Sequence, residues 1–289
     1  MLFLVLSALQ GPATERTGVF QSPRVVESSG VAASRKHAGT LWTNNDSGDG
    51  PYLYATDLRG RDRGAVLVRG AEAYDWEDVA LGPCPRAAGT GDCVYIGDTG
   101  DNAEDRFGVT VYAVPEPEPP TAPADTQRVT GAAAVLRIRY PDGPHDVEAI
   151  YVSPRDSALY LVSKGRSGPI RLYRAPADAW GVDSVVTVTL VQVLPIEPDA
   201  TAGRWITDAA VRRDGGLVAL RTQAEIFLFT PGAGGRLHPY GRPVCPIRGF
   251  EYQGEGIDFL QDGTFVLTSE ADGPTRPGQI HVVRCPDGN

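Results

Sequence analysis

Acids recur in this sequence at one position of a repeated motif. "DWEDVAL" (75 to 81) aligns with "ESSGVAA" (27 to 33), "DVEAIYV" (146 to 152), "ITDAAVR" (206 to 212) and "QGEGIDF" (253 to 259). The third position reads Glu77, Glu148, Asp208 and Glu255, with Ser29 in the first copy, at spacings of 48, 71, 60 and 47 residues. Four carboxylates brought together need a counter-charge or must partly protonate, because two like charges about 4 Å apart repel by roughly 4 kcal/mol at an effective dielectric of about 20. A divalent cation supplies that charge. Carboxylate, amide and carbonyl donors without His or Cys favour calcium over zinc or copper. The alternative is that each acid accepts backbone N–H groups from a neighbouring element and fastens the fold.

Whether the acids meet depends on the elements that carry them. Each motif is followed by a turn signal ("RKHAG", "GPCPRAAGTGD", "SPRDS", "RRDGG", "LQDG") and a second apolar run ("TLWT", "CVYIG", "ALYLVS", "LVALR", "TFVLTS"), which together read as a hairpin. A third strand follows as "YLYATDL", "TVYAVPE", "IRLYRAP", "EIFLFTP" and "QIHVVRC". In the first four units a fourth appears as "GAVLVRG", "AAVLRIRYP", "TVTLVQVLP" and "HPYGRPVCP". Four antiparallel strands at a period near 50 residues predict an all-β fold, a β-propeller with blades around a central channel. The count is five blades. The fifth stops after three strands, and "TGVFQSPRVV" (17 to 26) reads as the strand that closes it. Six blades with one degenerate is the rival, because the second unit spans 71 residues and carries "PEPEPPTAPAD" (115 to 125), read as an extended rim loop. Residues 17–289 are thus expected to form one propeller domain.

In a propeller the first strand of each blade lines the channel, so the motif acids form a ring there. The next residue is small in four copies (Gly30, Ala149, Ala209, Gly256) and Asp78 in the fifth, which suits crowding near the axis. The loops after the second strands return to the same rim as "NNDSGDG", "GDTGDNAEDR", "SKGR", "RT" and "SEAD". They bring Asp98, Asp101, Asn102, Lys164, Arg166, Arg221 and Glu270 to an expected ligand rim that also collects Trp76, Trp205 and Tyr74. A cation beside Lys164, Arg166 and Arg221 suits an anionic oxygen substrate, since the ion polarises an ester or phosphoryl oxygen while Arg holds the outer oxygens. Rim salt bridges to Asp98, Asp101, Glu270 or Asp272 are the plainer reading of these bases. His145, beside a motif acid, is the candidate acid/base, with an ordinary hydrogen-bonded rim histidine as its alternative. "DTGDNAED" lacks the sixth-position glycine and twelfth-position glutamate of an EF-hand loop, and no GxSxG elbow is present.

The blade openings Asp75-Trp76-Glu77-Asp78 and Asp146-Val147-Glu148-Ala149, with "YIGDTGDN" between them and "VYAVPEPEP" after, resemble a family of uncharacterised exported bacterial β-propellers. The likeness covers most of the chain from about residue 25. More distantly, the layout is similar to calcium-containing hydrolytic propellers, the gluconolactonase-type enzymes and calcium-activated nucleotidases, in which acids and amides at the channel mouth hold the ion. By position, that resemblance implies a metal-binding role for Glu77, Glu148, Asp208 and Glu255. Ser29 departs from the pattern, although Glu27 lies close by.

A net charge of −9, from 36 acids and 27 bases without a basic run, argues against nucleic acid or anionic membrane as partner and for a cation or small polar ligand. The opening "MLFLVLSALQGPA" matches the apolar core of a secretory signal and is too short to span a bilayer, which takes about 20 residues. No basic segment precedes it. Residues 1–16 are read as signal-like, with an N-terminal strand as the alternative. Cys84 and Cys93 flank "PRAAGTGD", whose ends a hairpin brings together, and Cys245 with Cys285 follows by elimination. The expectation is a secreted or cell-envelope monomer that holds calcium in an acidic channel and takes a small or anionic ligand at the rim. The alternatives are a metal-dependent hydrolase of phosphoester, phosphoanhydride or lactone substrates, and a scaffold without chemistry.

Overall fold

A computed structural model describes residues 11–120, 128–241 and 244–286. Five small antiparallel sheets are arranged as a five-bladed β-propeller. From the channel outward, blade 1 consists of Ser28–Ala33, Leu41–Asn45, Tyr52–Thr56 and Ala65–Leu67, and blade 2 of Trp76–Pro83, Asp92–Asp98, Val109–Pro115 and Ala134–Arg139. Blade 3 consists of Val147–Val152, Leu159–Ser163, Arg171–Ala175 and Thr189–Val193, and blade 4 of Ile206–Val211, Val218–Thr222, Glu225–Pro231 and Leu237–Pro239. Cys245–Pro246 pairs with the other end of Glu225–Pro231, so "HPYGRPVCP" supplies two short edge pieces rather than one strand.

Blade 5 closes the ring with both ends of the chain. Its strands Gly254–Phe259, Phe265–Ser269 and Gln279–Arg284 are completed by Ala13–Val19, paired from Ala13 opposite Arg284 to Val19 opposite Gln279 with a register shift between Arg16 and Gly18. The closing strand starts four residues before the expected position 17, within the segment read as signal-like; residues 1–10 of that segment lie outside the described residues.

The long second unit does not build a sixth blade. After Val109–Pro115 the chain crosses to blade 1, where Arg128–Val129 pairs in parallel with Ala65–Leu67, and then returns as Ala134–Arg139. Val186–Thr187 covers the edge of blade 2 in the same way. These added strands occupy edge groups that would otherwise stand open to another chain. Residues 121–127, which include the end of "PEPEPPTAPAD", lie outside the described residues.

The inner strands read as continuous apolar runs because neighbouring blades cover both their faces. Each of five core clusters fills the gap between two adjacent blades: Trp42, Leu53 and Trp76 between blades 1 and 2, Tyr95, Ile150 and Tyr173 between blades 2 and 3, and Ile226, Cys245 and Leu267 between blades 4 and 5. Both expected disulfides are present. Cys84–Cys93 closes the inner hairpin of blade 2, and Cys245–Cys285 ties blade 4 to the end of blade 5. Two disulfides are consistent with an extracytoplasmic location. Among the described residues no helix is long and apolar enough to cross a membrane.

Candidate metal centre at the channel mouth

Every inner strand breaks register where its motif begins: between Trp76 and Asp78, Val147 and Ala149, Ile206 and Asp208, Ser28 and Val31, and Gly254 and Ile257. A bulge leaves a residue unpaired and re-aims its side chain. The residues so released are Glu77, Glu148 and Thr207, together with the pairs Ser29–Gly30 and Glu255–Gly256. This corrects the reading of Asp208 as a ring acid. Asp208 pairs with Arg221 as Asp78 pairs with Gly97 and Ala149 with Val162, so it is the counterpart of Asp78, one residue deeper. Matching acid to acid misaligned blade 4, where strand register matches Ile206 to Trp76 and Val147.

The deeper acids fasten the ring. Asp78 Oδ2 accepts the Ile150 N–H at 2.7 Å, Asp208 Oδ2 the Ile257 N–H at 2.5 Å, and Asp258 Oδ2 the Ala33 N–H at 2.7 Å, each across a blade boundary. Asp78 and Asp208 are near enough to act on each other's ionisation. Burial pushes Asp78 up to about 7 and, with the facing Asp78 charge, holds Asp208 well above the usual carboxylate range. At Gly30 a Cβ would stand 2.5 Å from Asp78 Oδ1, so the crowding predicted after the motif position is real.

The upper acids are arranged differently. Glu77 belongs to two groups, Asp46–Asp75–Glu77 and Glu77–Asp146–Glu148, and in each the nearest oxygens lie within 4.8 Å of one another. Such groups could hold a metal ion. Asp75 and Asp146 stand two residues before Glu77 and Glu148, the spacing that puts side chains on one side of an extended chain. Asp46 comes from the loop after the second strand of blade 1. Asp46, Asp75 and Asp146 are not among the metal-binding residues expected from the sequence; the D-x-E spacing is the signal that marks the last two. Gly100 makes room for the cluster, since a Cβ there would stand 2.5 Å from Asp75 Oδ2 and closer still to Glu77 Oε1.

The charge within the cluster is unevenly balanced. Glu77 is 2% exposed and receives one long hydrogen bond, from Ser29 Oγ at 3.5 Å. Among the described residues no base forms an ion pair with Asp46, Asp75 or Glu77, whereas Lys164 Nζ lies 2.5 Å from Glu148 and Arg166 Nε 2.9 Å from Asp146. Burial, and then the Glu148 and Asp46 charges, hold Glu77 well above the carboxylate range, while burial and Asp46 push Asp75 up to about 6. Burial carries Glu148 to about 8 against the pull of Lys164. Burial opposes the Lys164 ammonium, but Glu148 and Asp146 outweigh it and raise its pKa. Glu255 and Glu270, pushed by burial to about 7 and about 8, add to the acidic field but belong to neither group.

Several expected rim residues have other duties. Asp98 accepts the N–H groups of Tyr74 and Asp75 and pairs with Arg106 at 2.9 Å. Asp101 accepts the N–H groups of Asp105 and Arg106 and donates its own N–H to Asp146, and Asn102 accepts from Arg166. These three position the acids. Trp76 is a core residue, its Nε1 donating to the Glu72 carbonyl, and Trp205 takes the rim instead, with the Arg166 guanidinium 4.9 Å from its ring. Arg221 is wholly buried in an ion pair with Glu251 and donates to the Gly256 and Thr268 carbonyls of blade 5, so it joins blades and is not a rim base. His145 stacks on Tyr173 at 5.7 Å with Nε2 3.3 Å from Asp142, and it belongs to neither acid group. Beside Lys164, a cleft of about 770 Å³ runs between Arg166, Pro169, Ile196, Pro198 and Trp205.

No protein-family model matches the chain, and no curated protein matches it. Solved structures similar to it include a gluconolactonase from Xanthomonas campestris (13% identity, TM-score 0.48, 96% of this chain and 95% of that one covered). A glucose dehydrogenase (11%, 0.49, 95% and 100%) and an auxiliary nutrient binding protein from Bacteroides thetaiotaomicron (9%, 0.47, 95% and 76%) are also similar. At these identities and TM-scores the likenesses carry no argument about activity, and the propeller assignment rests on this chain's own strand pairing.

Proposed function

We propose that this chain is an exported β-propeller that holds calcium at its acidic channel mouth and takes a small polar or anionic ligand in the adjoining cleft. The observation that carries the reading is Glu77, buried, shared by two acid groups and without a basic partner among the described residues. Buried charges are paired or coordinate metals. Oxygens around an ion at about 2.4 Å can be no more than about 4.8 Å apart, which both groups satisfy, and an all-carboxylate donor set suits a hard cation. Asp46, Asp75, Glu77, Asp146 and Glu148 would hold the ion, which when bound supplies positive charge for polarising a ligand oxygen. Arg166 and Trp205 line the cleft beside it and offer a charged fork and an aromatic face to the rest of the ligand. The two disulfides and the apolar opening of the sequence support export.

The hydrolase reading has less support. Of its proposed catalytic groups, Arg221 is committed to Glu251, His145 to a tyrosine stack, and Lys164 to Glu148. Calorimetric titration of chelator-treated protein with calcium chloride tests the main reading. Wild type should bind and Glu77→Gln should bind at least about a hundredfold more weakly; equal binding by the two would overturn it. Calcium-dependent turnover of a phosphoester, phosphoanhydride or lactone would decide for the hydrolase.

A further inference from the structure

The turns between first and second strands lie at the far end of the inner strands from the acid cluster. There, residues of blades 1, 4 and 5 enclose a cavity of about 730 Å³. Its walls are apolar, with Leu41, Leu58, Phe259, Leu260 and Val282 among them, and a volume of this size falls in the range of about 300–1,000 Å³ typical of small-molecule sites. Three arginines reach it: Arg35, Arg212 and Arg213.

The charges around the cavity do not cancel. Arg212 is paired with Asp214 at 2.9 Å, and Asp262 is held by Thr264 and by Arg284. Both oxygens of Asp258 are occupied, accepting the N–H groups of Ala33 and Phe259. Arg35 and Arg213 are left, and neither makes a hydrogen bond or ion pair among the described residues; the field of Arg35 only tempers the upward push of burial on Asp258. Two uncommitted guanidinium groups therefore border an apolar hollow in a chain whose net charge is −9.

We propose that this cavity binds an amphipathic anion, a medium-chain carboxylate whose acid group is held by Arg35 and Arg213 and whose hydrocarbon body lies against Leu58, Phe259 and Leu260. A guanidinium matches a carboxylate as a planar fork, and the apolar walls receive a chain that would otherwise be in water. A neutral alcohol of the same length lacks the first interaction. A polyanion such as nucleic acid lacks the second. The site is independent of the calcium reading because it lies at the opposite end of the channel and uses none of the same residues.

Titration with decanoate, in chelator so that no divalent ion takes part, tests this, with decanol as the neutral probe. Decanoate should bind with one-to-one stoichiometry and weaken at least about tenfold in the double variant Arg35→Ala/Arg213→Ala, while decanol binds more weakly and equally to both proteins. Near-ultraviolet circular dichroism checks that the variant is folded. Should the double variant be misfolded, Arg213→Glu, at an exposed position, takes its place and should weaken decanoate by at least as much. Failure of decanoate to bind, undiminished binding by the folded variant, or decanol binding as tightly as decanoate would each overturn the proposal.

Discussion

Asp78 and Asp208 are buried at the channel within each other's electrostatic reach, and each accepts a backbone N–H of the following blade, from Ile150 for Asp78 and from Ile257 for Asp208. Two buried carboxyls that oppose each other's charge cannot both ionise readily, so a proton on one of them is favoured. The pair is a joint between blades 2 and 3 on one side and 4 and 5 on the other, and its strength depends on that proton.

The first prediction follows from its titration. Asp78 is raised from the ordinary 3.8 to about 7, so its contribution to stability is full below pH 4 and is lost as pH rises through about 7. Glu148, raised to about 8, acts in the same direction. In chelator, the urea midpoint should therefore be higher at pH 5 than at pH 8. Asp208→Asn removes one of the two opposed charges and should flatten part of that slope; a slope identical to wild type would rule out the coupling.

Calcium should reverse the trend. Ion binding must displace the protons that burial keeps on Glu77, Glu148 and Asp75, so affinity should rise between pH 6 and 8, by about tenfold per pH unit for each proton released. At a hundredfold excess over Kd the ion adds about 2.7 kcal/mol to the folded state. Thermal melts with and without calcium should show the gain in wild type and Asp208→Asn and its loss in Glu77→Gln and Glu148→Gln.

Arg221 and Arg166 should part company. Arg221→Ala leaves Glu251 buried with only His281, 3.8 Å away, beside it and should cost roughly 3–5 kcal/mol in urea unfolding, with no change in calcium affinity of the folded fraction. Arg166 is partly exposed and Lys164 remains 3.9 Å from the buried Asp146, so Arg166→Ala should cost less than Arg221→Ala while weakening any anionic ligand of the Trp205 cleft.

The two disulfides should rank by the chain they enclose. Separations of 9 and 40 residues give roughly 3 and 4 kcal/mol in the chain-entropy model, so Cys245→Ser/Cys285→Ser should lower the urea midpoint more than Cys84→Ser/Cys93→Ser.

Much of the architecture was legible because each hairpin repeats its own turn chemistry, and a period near 50 residues leaves few folds to choose from. What escaped was set between blades rather than within them. The two-residue edge strand Arg128–Val129 exists only because blade 1 offers it a partner. The one-residue shift at Asp208 was hidden because a bulge changes which residue faces the axis without changing the sequence pattern, and Thr207 carries no charge to mark the position it occupies. Trp76 and Trp205 look alike in sequence, yet the first lies one residue inside its strand and is buried, while the second lies one residue before its strand and reaches the rim.

The strand Ala13–Val19 has a consequence for how the molecule is made. Thr17 donates to the carbonyl of Ile280, a neighbour in the sheet 263 positions away in the chain, so the seam of blade 5 joins two strands made far apart in time. Contacts of such sequence separation form slowly, because a long loop must be closed before they give any return. Ala13–Val19 then waits, with unpaired edges, until Gln279–Arg284 has been produced, and the ring cannot close before that. The topology of blade 5 thereby places ring closure, with its cross-blade Cys245–Cys285 bond, after the strands of all five blades have been produced.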